Sequence, residues 1–369
     1  MSTPRRPPRP GRQNPPLRID LALQGGGSHG AFTWGVLDRL LDDPGLQIAG
    51  ASGTSAGALN AAVLATGLAE GGRAGAQAAL RAFWLDVAAQ QSPFHGGCFG
   101  RWPGLPLPGL RMPGLAAFNL DQNPLYRWSQ QWLRWASPYQ FNALGPNPLR
   151  AVVERHVRPQ ALVDGPVDVF VTATAVHTGQ ARVFDCSDLS VDALLASACL
   201  PQLFRAVQID GEPYWDGGYS GNPALWPLIY RTDVLDIVLV KINPLLRPGT
   251  PDTPEEIADR VNEITFNAGL VAELRAIAFV ARLINEGRLD EGSYKRLRLH
   301  MVADDAGLAP LTPSSKLNTE RGFVEALHAL GRQAAERWLA EHRSDLGRRS
   351  SLDLHSHFLA PRRGAHGGA

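Results

Sequence analysis

Apolar positions fall first into short continuous runs and then into helical periodicities, which predicts strand–helix units in succession. Residues 19–23 (Ile-Asp-Leu-Ala-Leu) read as a short buried strand entering a glycine cluster at Gly25–Gly30. Phe32, Val36, Leu37, Leu40 and Leu41 then recur at helical spacing up to Asp43-Pro44-Gly45. A second strand over 46–52 meets Gly53–Gly57, and the small and aliphatic residues of 56–68 predict a helix packed closely on the sheet. Strand, helix, strand, helix implies parallel strands with right-handed crossovers. The expected class is α/β, a three-layer α/β/α sandwich around a mostly parallel sheet.

The texture changes at 92–145. Pro93, Pro103, Pro106, Pro108, Pro113 and Pro124, with Trp102, Trp128, Trp132 and Trp135, interrupt the alternation. This segment reads as an inserted cap or lid with an aromatic helix over 124–135, serving either lipid contact or a small hydrophobic core. Strands are predicted again at 167–176, 180–184, 206–209, 234–240 and 296–302. Helices are predicted at 191–199, 255–286 (with a break near Gly269) and 320–342, and Tyr214–Gly218 falls in a loop. One α/β domain, 19–342, thus lies between two tails, 1–18 and 343–369, both expected to be disordered.

Composition narrows the function classes. The 369 residues are 44% hydrophobic with a formal net charge of +1, which gives no support to nucleic-acid binding. That charge is unevenly spread. Residues 1–18 hold five arginines, six prolines and no acid, whereas 19–342 hold 33 acidic and 26 basic side chains. The basic ends are therefore the expected contact with anionic lipid, beside a plain solubilising role. No run of eighteen uninterrupted apolar residues predicts a spanning helix, and 1–18 lacks the apolar core of a secretory signal. Cys98, Cys186 and Cys199 form no metal or disulfide spacing. Together these point to a cytoplasmic protein, peripheral to the membrane if it touches one, with no metal and no cofactor.

The glycine cluster fits G-x-G-x-x-G between a strand and a helix, a dinucleotide fingerprint. That fingerprint also needs an acid about 20 positions on. Positions 49–52 are Ala, Gly, Ala and Ser. The same glycines suit a nest of amides that holds a phosphate or an oxyanion, or simply a tight turn. Two G-x-S-x-G matches follow, Gly26–Gly30 around Ser28 and Gly53–Gly57 around Ser55. A nucleophile elbow needs a sharp strand-to-helix turn between small residues. Ser55 has that context; Ser28, inside a glycine run, is the second candidate. No histidine is persuasive as the base. His300, on the last strand, reads as part of a solvated face, His328 and His342 lie on the closing helix, and His355, His357 and His366 lie in the tail. Asp216, after Tyr214 and Trp215 and before Gly217 and Gly218, is the better candidate, because burial beside aromatic surface would raise a carboxylate toward useful basicity.

In this order, Gly25-Gly26-Gly27-x-x-Gly30, Gly53-x-Ser55-x-Gly57 and Asp216-Gly217-Gly218 resemble the patatin-like phospholipase family. The resemblance spans about 19–246 and includes Ser197-Ala198-Cys199-Leu200-Pro201, similar to the family's Ser-x-x-x-Pro segment. It implies a Ser–Asp dyad of Ser55 and Asp216, an oxyanion hole from the amides of Gly26 and Gly27, and hydrolysis of a lipid or other acyl ester without metal. One position departs: His29 stands where the family usually has Arg or Lys, which leaves head-group preference open. Two other readings stay open, a non-catalytic lipid or acyl binder on the same fold and a nucleotide-binding α/β protein.

Overall fold

β1 (Leu17–Leu23) is buried from Ile19 onward because parallel strands flank it on both edges, β2 (Leu46–Thr54) on one side and β7 (Asp236–Val240) on the other. The computed structural model describes residues 15–90, 114–121, 147–247 and 249–360, with positions 123, 126, 128 and 137–139 between them. Beyond β2 lies parallel β3 (Asp168–Ala175), and beyond β7 lies parallel β8 (Arg298–Val302). β4 (Ala181–Phe184) and β6 (Glu212–Asp216) both pair antiparallel with β3, and β5 (Val207–Ile209) pairs antiparallel with β6. The result is a mixed eight-stranded sheet, ordered β5-β6-β3-β2-β1-β7-β8 with β4 beside β3.

Alternation along the strands feeds two cores, one on each face. Ile19, Leu21 and Leu23 of β1, with Val238 and Val240 of β7, join the larger core. It is closed by α1 (Gly30–Leu41), α2 (Ala56–Ala89), α3 (Leu149–His156), α4 (Val191–Ser197) and α7 (Arg321–His342). Ala22, Ile237 and Leu239 point the other way and meet Leu225 and Leu228 around α5 (Trp226–Arg231) and Leu270 and Leu274 of α6 (Pro254–Asn285). Helices on both faces of one sheet give the three-layer α/β/α fold.

Several boundaries differ from the sequence reading. The predicted 56–68 helix continues to Ala89 through a kink at Gly71–Gly72. Tyr214–Asp216 is not loop but the end of β6. α6 runs unbroken past Gly269. It also contains an 18-residue window of mean hydropathy 1.5, so among the described residues one helix is apolar and long enough to cross a membrane by composition, although charged residues interrupt the run. Arg18 lies in β1 and pairs with Asp233 at 2.7 Å, and residues 343–360 pack on the domain through buried Leu346 and Leu352. Residues 15–18 and 343–360, expected within the tails, thus belong to the described domain. Most of the predicted 92–145 insertion, with Cys98, Trp102, Trp132 and Trp135, lies outside the described residues, as do 1–14 and 361–369.

Candidate active site

β2 ends at Thr54, and the next residue, Ser55, takes φ 53° and ψ −124° before α2 starts. A non-glycine residue with positive φ costs on the order of 1–3 kcal/mol and persists only where its surroundings enforce it. Three enforcers surround Ser55. A Cβ on Gly57 would stand 2.1 Å from the Leu23 carbonyl oxygen, so only glycine lets α2 leave the sheet at this angle. A Cβ on Gly53 would strike the Gly57 carbonyl at 2.5 Å. The third is Ser197 at the end of α4, whose Oγ accepts from the Ser55 amide at 2.9 Å and donates to the Thr172 carbonyl at 2.6 Å.

Asp216 reaches this elbow through the register of β3. Thr54 of β2 pairs with Thr172, and the next β3 residue, Ala173, pairs with Asp216. β4 holds the opposite edge of β3 at both positions, so β6 continues the edge that β2 leaves at the elbow. Gly217 is needed there because a Cβ would lie 2.0 Å from the Thr172 oxygen. The Asp216 backbone is fixed by donation to the Cys199 carbonyl at 2.8 Å and by acceptance from Thr174 Oγ1 at 2.8 Å. Its carboxylate is buried. Oδ1 accepts from the Gly218 amide at 2.7 Å, while Oδ2 has no hydrogen bond of good geometry. Burial pushes the pKa up to about 7, against the pull of the Gly218 amide, the facing Ser55 hydroxyl and the Lys316 charge. A carboxyl poised near neutrality beside a strained serine can exchange a proton with it.

The glycine loop lies against the same elbow: a Cβ on Gly25 would come within 2.7 Å of Ser55 Cβ. The Gly25 peptide is bracketed by two asparagines. Asn222 Oδ1 accepts its N–H at 2.6 Å, and Asn243 Nδ2 donates to its carbonyl at 2.7 Å. Gln24 Oε1 accepts from the Ile242 and Asn243 amides, each at 2.9 Å, and ties the loop to the end of β7. Further on, Asn60 Nδ2 donates to the Gly30 carbonyl at 3.0 Å and its Oδ1 accepts from Trp84. Whereas the Gly25 amide is taken, the amides of Gly26 and Gly27 have no acceptor among the described residues. Gly27 is solvent-exposed and has φ +57°, with the Lys316 carbonyl where a Cβ would go. Two free N–H groups beside a serine suit an incoming anion or oxyanion.

The other sequence candidates sit differently. Ser28 is buried in a 3₁₀ turn, apart from the Asp216 strand pairing. His29 is buried against Ser315, with Nε2 2.7 Å from its Oγ, and burial holds its pKa well below the ordinary value. It carries no charge at neutral pH, so protonated His29 does not replace the missing Arg or Lys. His300 does not lie on a solvated face. It is fully buried, with Ser351 on Nδ1 and Asp236 on Nε2, on β8, three strands from β2. Among the described residues no group of three or more His, Cys, Asp or Glu is placed to hold a metal ion. Sequence reasoning assigned no role to Gln24, Asn222, Asn243 or Lys316; Asn222, a few residues after Asp216, stood near a motif.

A family model described as patatin-like phospholipase matches residues 21–229. No curated protein matches the sequence. Among solved structures, VipD from Legionella pneumophila is 13% identical, with 94% of this chain and 73% of that chain covered at a TM-score of 0.37. A chain of the ExoU–SpcU complex from the type III secretion system of Pseudomonas aeruginosa is 17% identical, with 88% of this chain and 52% of that chain covered at a TM-score of 0.33. This chain therefore spans about half the length of the latter.

Proposed function

The chain belongs to the patatin-like phospholipase family, and from that premise we propose that it is a serine acyl-ester hydrolase that cleaves lipid esters through a Ser55–Asp216 dyad. The observation that carries the reading is the strained Ser55 held against a buried carboxyl whose pKa stands at about 7. Ser55 Oγ attacks the ester carbonyl while Asp216 takes its proton. The amides of Gly26 and Gly27 receive the charge that develops on the carbonyl oxygen. Protonated Asp216 then gives its proton to the leaving alcohol. A water, deprotonated by Asp216, attacks the acyl-Ser55 ester, and Asp216 returns that proton to Ser55 Oγ as the fatty acid leaves.

A lipid substrate also accounts for an exposed apolar stripe on α6. Ile257, Val261 and Ile264 stand on α6 at helical spacing and are each about half exposed, as is Leu246 in the loop after β7. The same helix presses Phe266 onto Gly218, two residues from Asp216. Contact with lipid through this stripe would be peripheral, and we place the protein in the cytoplasm.

The test is turnover of a panel of phospholipid, lysophospholipid and acylglycerol esters by the wild type, Ser55→Ala and Asp216→Asn. Loss of all ester turnover in both variants, with unchanged circular dichroism, is the expected result. Undiminished turnover in Ser55→Ala would remove the dyad.

A further inference from the structure

His29 of the glycine turn is buried and uncharged at neutral pH, and a lysine from late in the chain lies over the same loop. Residues 313–317 form a 3₁₀ turn that packs on the glycine turn at 27–29. Its backbone covers Gly27, with the Lys316 carbonyl oxygen 2.4 Å from where a Cβ would stand, and its Ser315 holds His29. The Lys316 side chain then turns inward, and Nζ donates to Asn243 Oδ1 at 2.9 Å. That oxygen lies 3.5 Å from the Cβ position of Gly26. The ammonium thus hydrogen-bonds an oxygen that flanks Gly26. An ammonium has three N–H donors, and among the described residues Lys316 uses one of them and joins no salt bridge. The neighbouring cations are committed: Arg247 and Arg260 both pair with buried Glu263.

We infer that Lys316 supplies the fixed positive charge of the acyl-transfer site, held beside the Gly26 and Gly27 amides to stabilise negative charge on the substrate oxygen. The inference rests on the Ser55–Asp216 reading and adds to it the source of the field. A charge already fixed beside the amides requires no reorganisation when the oxyanion forms.

The inference has a pH signature. Lys316 is faced by Asp259 and Glu263 from α6, Arg247 from the loop after β7, Asp216 from the end of β6 and neutral His29 from the glycine turn. Desolvation lowers its pKa from 10.5, the carboxylates oppose that shift and Arg247 adds to it. The ammonium is therefore lost at a lower pH than that of an ordinary lysine, as pH rises through its lowered value. Activity follows it down.

The experiment is steady-state hydrolysis of p-nitrophenyl butyrate from pH 6 to 10 by the full chain as wild type, Lys316→Met, Lys316→Arg and Ser55→Ala. Lys316→Met is expected to lose about 100-fold in kcat with KM little changed, the scale of removing one oxyanion-site donor. Lys316→Arg is expected to stay within about tenfold and to lose the alkaline fall, because a guanidinium keeps its proton. Should Lys316→Met unfold below the assay temperature, the alkaline limb of wild type against Lys316→Arg decides alone. An alkaline limb identical in wild type and Lys316→Arg, or a folded Lys316→Met enzyme with unchanged kcat, overturns the role of Lys316 while the dyad stands. Turnover that survives Ser55→Ala overturns the dyad and this inference together.

Discussion

Ser197 Oγ accepts the backbone amide of Ser55 at 2.9 Å and in the same contact donates to the Thr172 carbonyl at 2.6 Å, so the end of α4 clamps the elbow to β3. The clamp engages the peptide that carries the strain, not the hydroxyl. Ser197→Ala would leave a buried amide and a buried carbonyl without partners, a cost of about 1–3 kcal/mol. The expected outcome is a kcat reduced roughly 10- to 100-fold with KM unchanged, since a small displacement of the nucleophile is costly. Urea unfolding together with steady-state kinetics measures both effects.

Asp216 must be ionised to accept the Ser55 proton. With its pKa pushed up to about 7 by burial, kcat/KM is expected to rise tenfold per pH unit below about 7 and to level above it. An acid limb centred near the ordinary carboxylate value of about 4 would mean that burial does not tune this group.

Burial of Asp216 also couples stability to pH. A carboxyl whose folded pKa exceeds its unfolded value binds its proton more tightly in the folded state, so stability falls as pH rises from about 4 to about 7. Below both values the group costs nothing. Asp216→Asn removes the buried charge, and is expected to raise the unfolding free energy at pH 8 by on the order of a few kcal/mol while leaving pH 4 nearly unchanged. Thermal denaturation at the two pH values reads the difference.

The exposed apolar stripe on α6 makes a separate prediction. Ile257→Asp with Val261→Asp and Ile264→Asp places charges on exposed positions, so folding should be preserved. Co-sedimentation with phosphatidylcholine–phosphatidylglycerol vesicles is expected to fall several-fold. Equal binding by wild type and the triple variant would move lipid contact elsewhere on the protein.

Much of this site was legible in the sequence, for a physical reason. Ser55 and Asp216 sit in turns whose clearances admit only small residues, and those glycines leave a local signature: Gly57 against Leu23, Gly217 against Thr172. What joined the two turns was not local. The substitution of β6 for β2 along one edge of β3 depends on pairing across more than a hundred residues, and Pro213 with Gly217–Gly218 made 214–218 look like a loop. His300 misled because alternation on β8 says which residues share a face, not what covers that face. Trp338 of α7 and Ser351 from the segment after it bury the ring. Lys316 and Asn243 carried no pattern at all. Their meaning comes from a turn near the end of the chain that folds back onto one near its start.

The central claim is that Ser55 is the nucleophile and Asp216 activates it. Its most direct test is covalent labelling of the full chain with a fluorophosphonate at pH 8, followed by peptide mass spectrometry. The expected result is a single adduct on Ser55, absent in Ser55→Ala and formed at least 100-fold more slowly in Asp216→Asn. An adduct on Ser28, or labelling of Ser55 at an undiminished rate in Asp216→Asn, would contradict it.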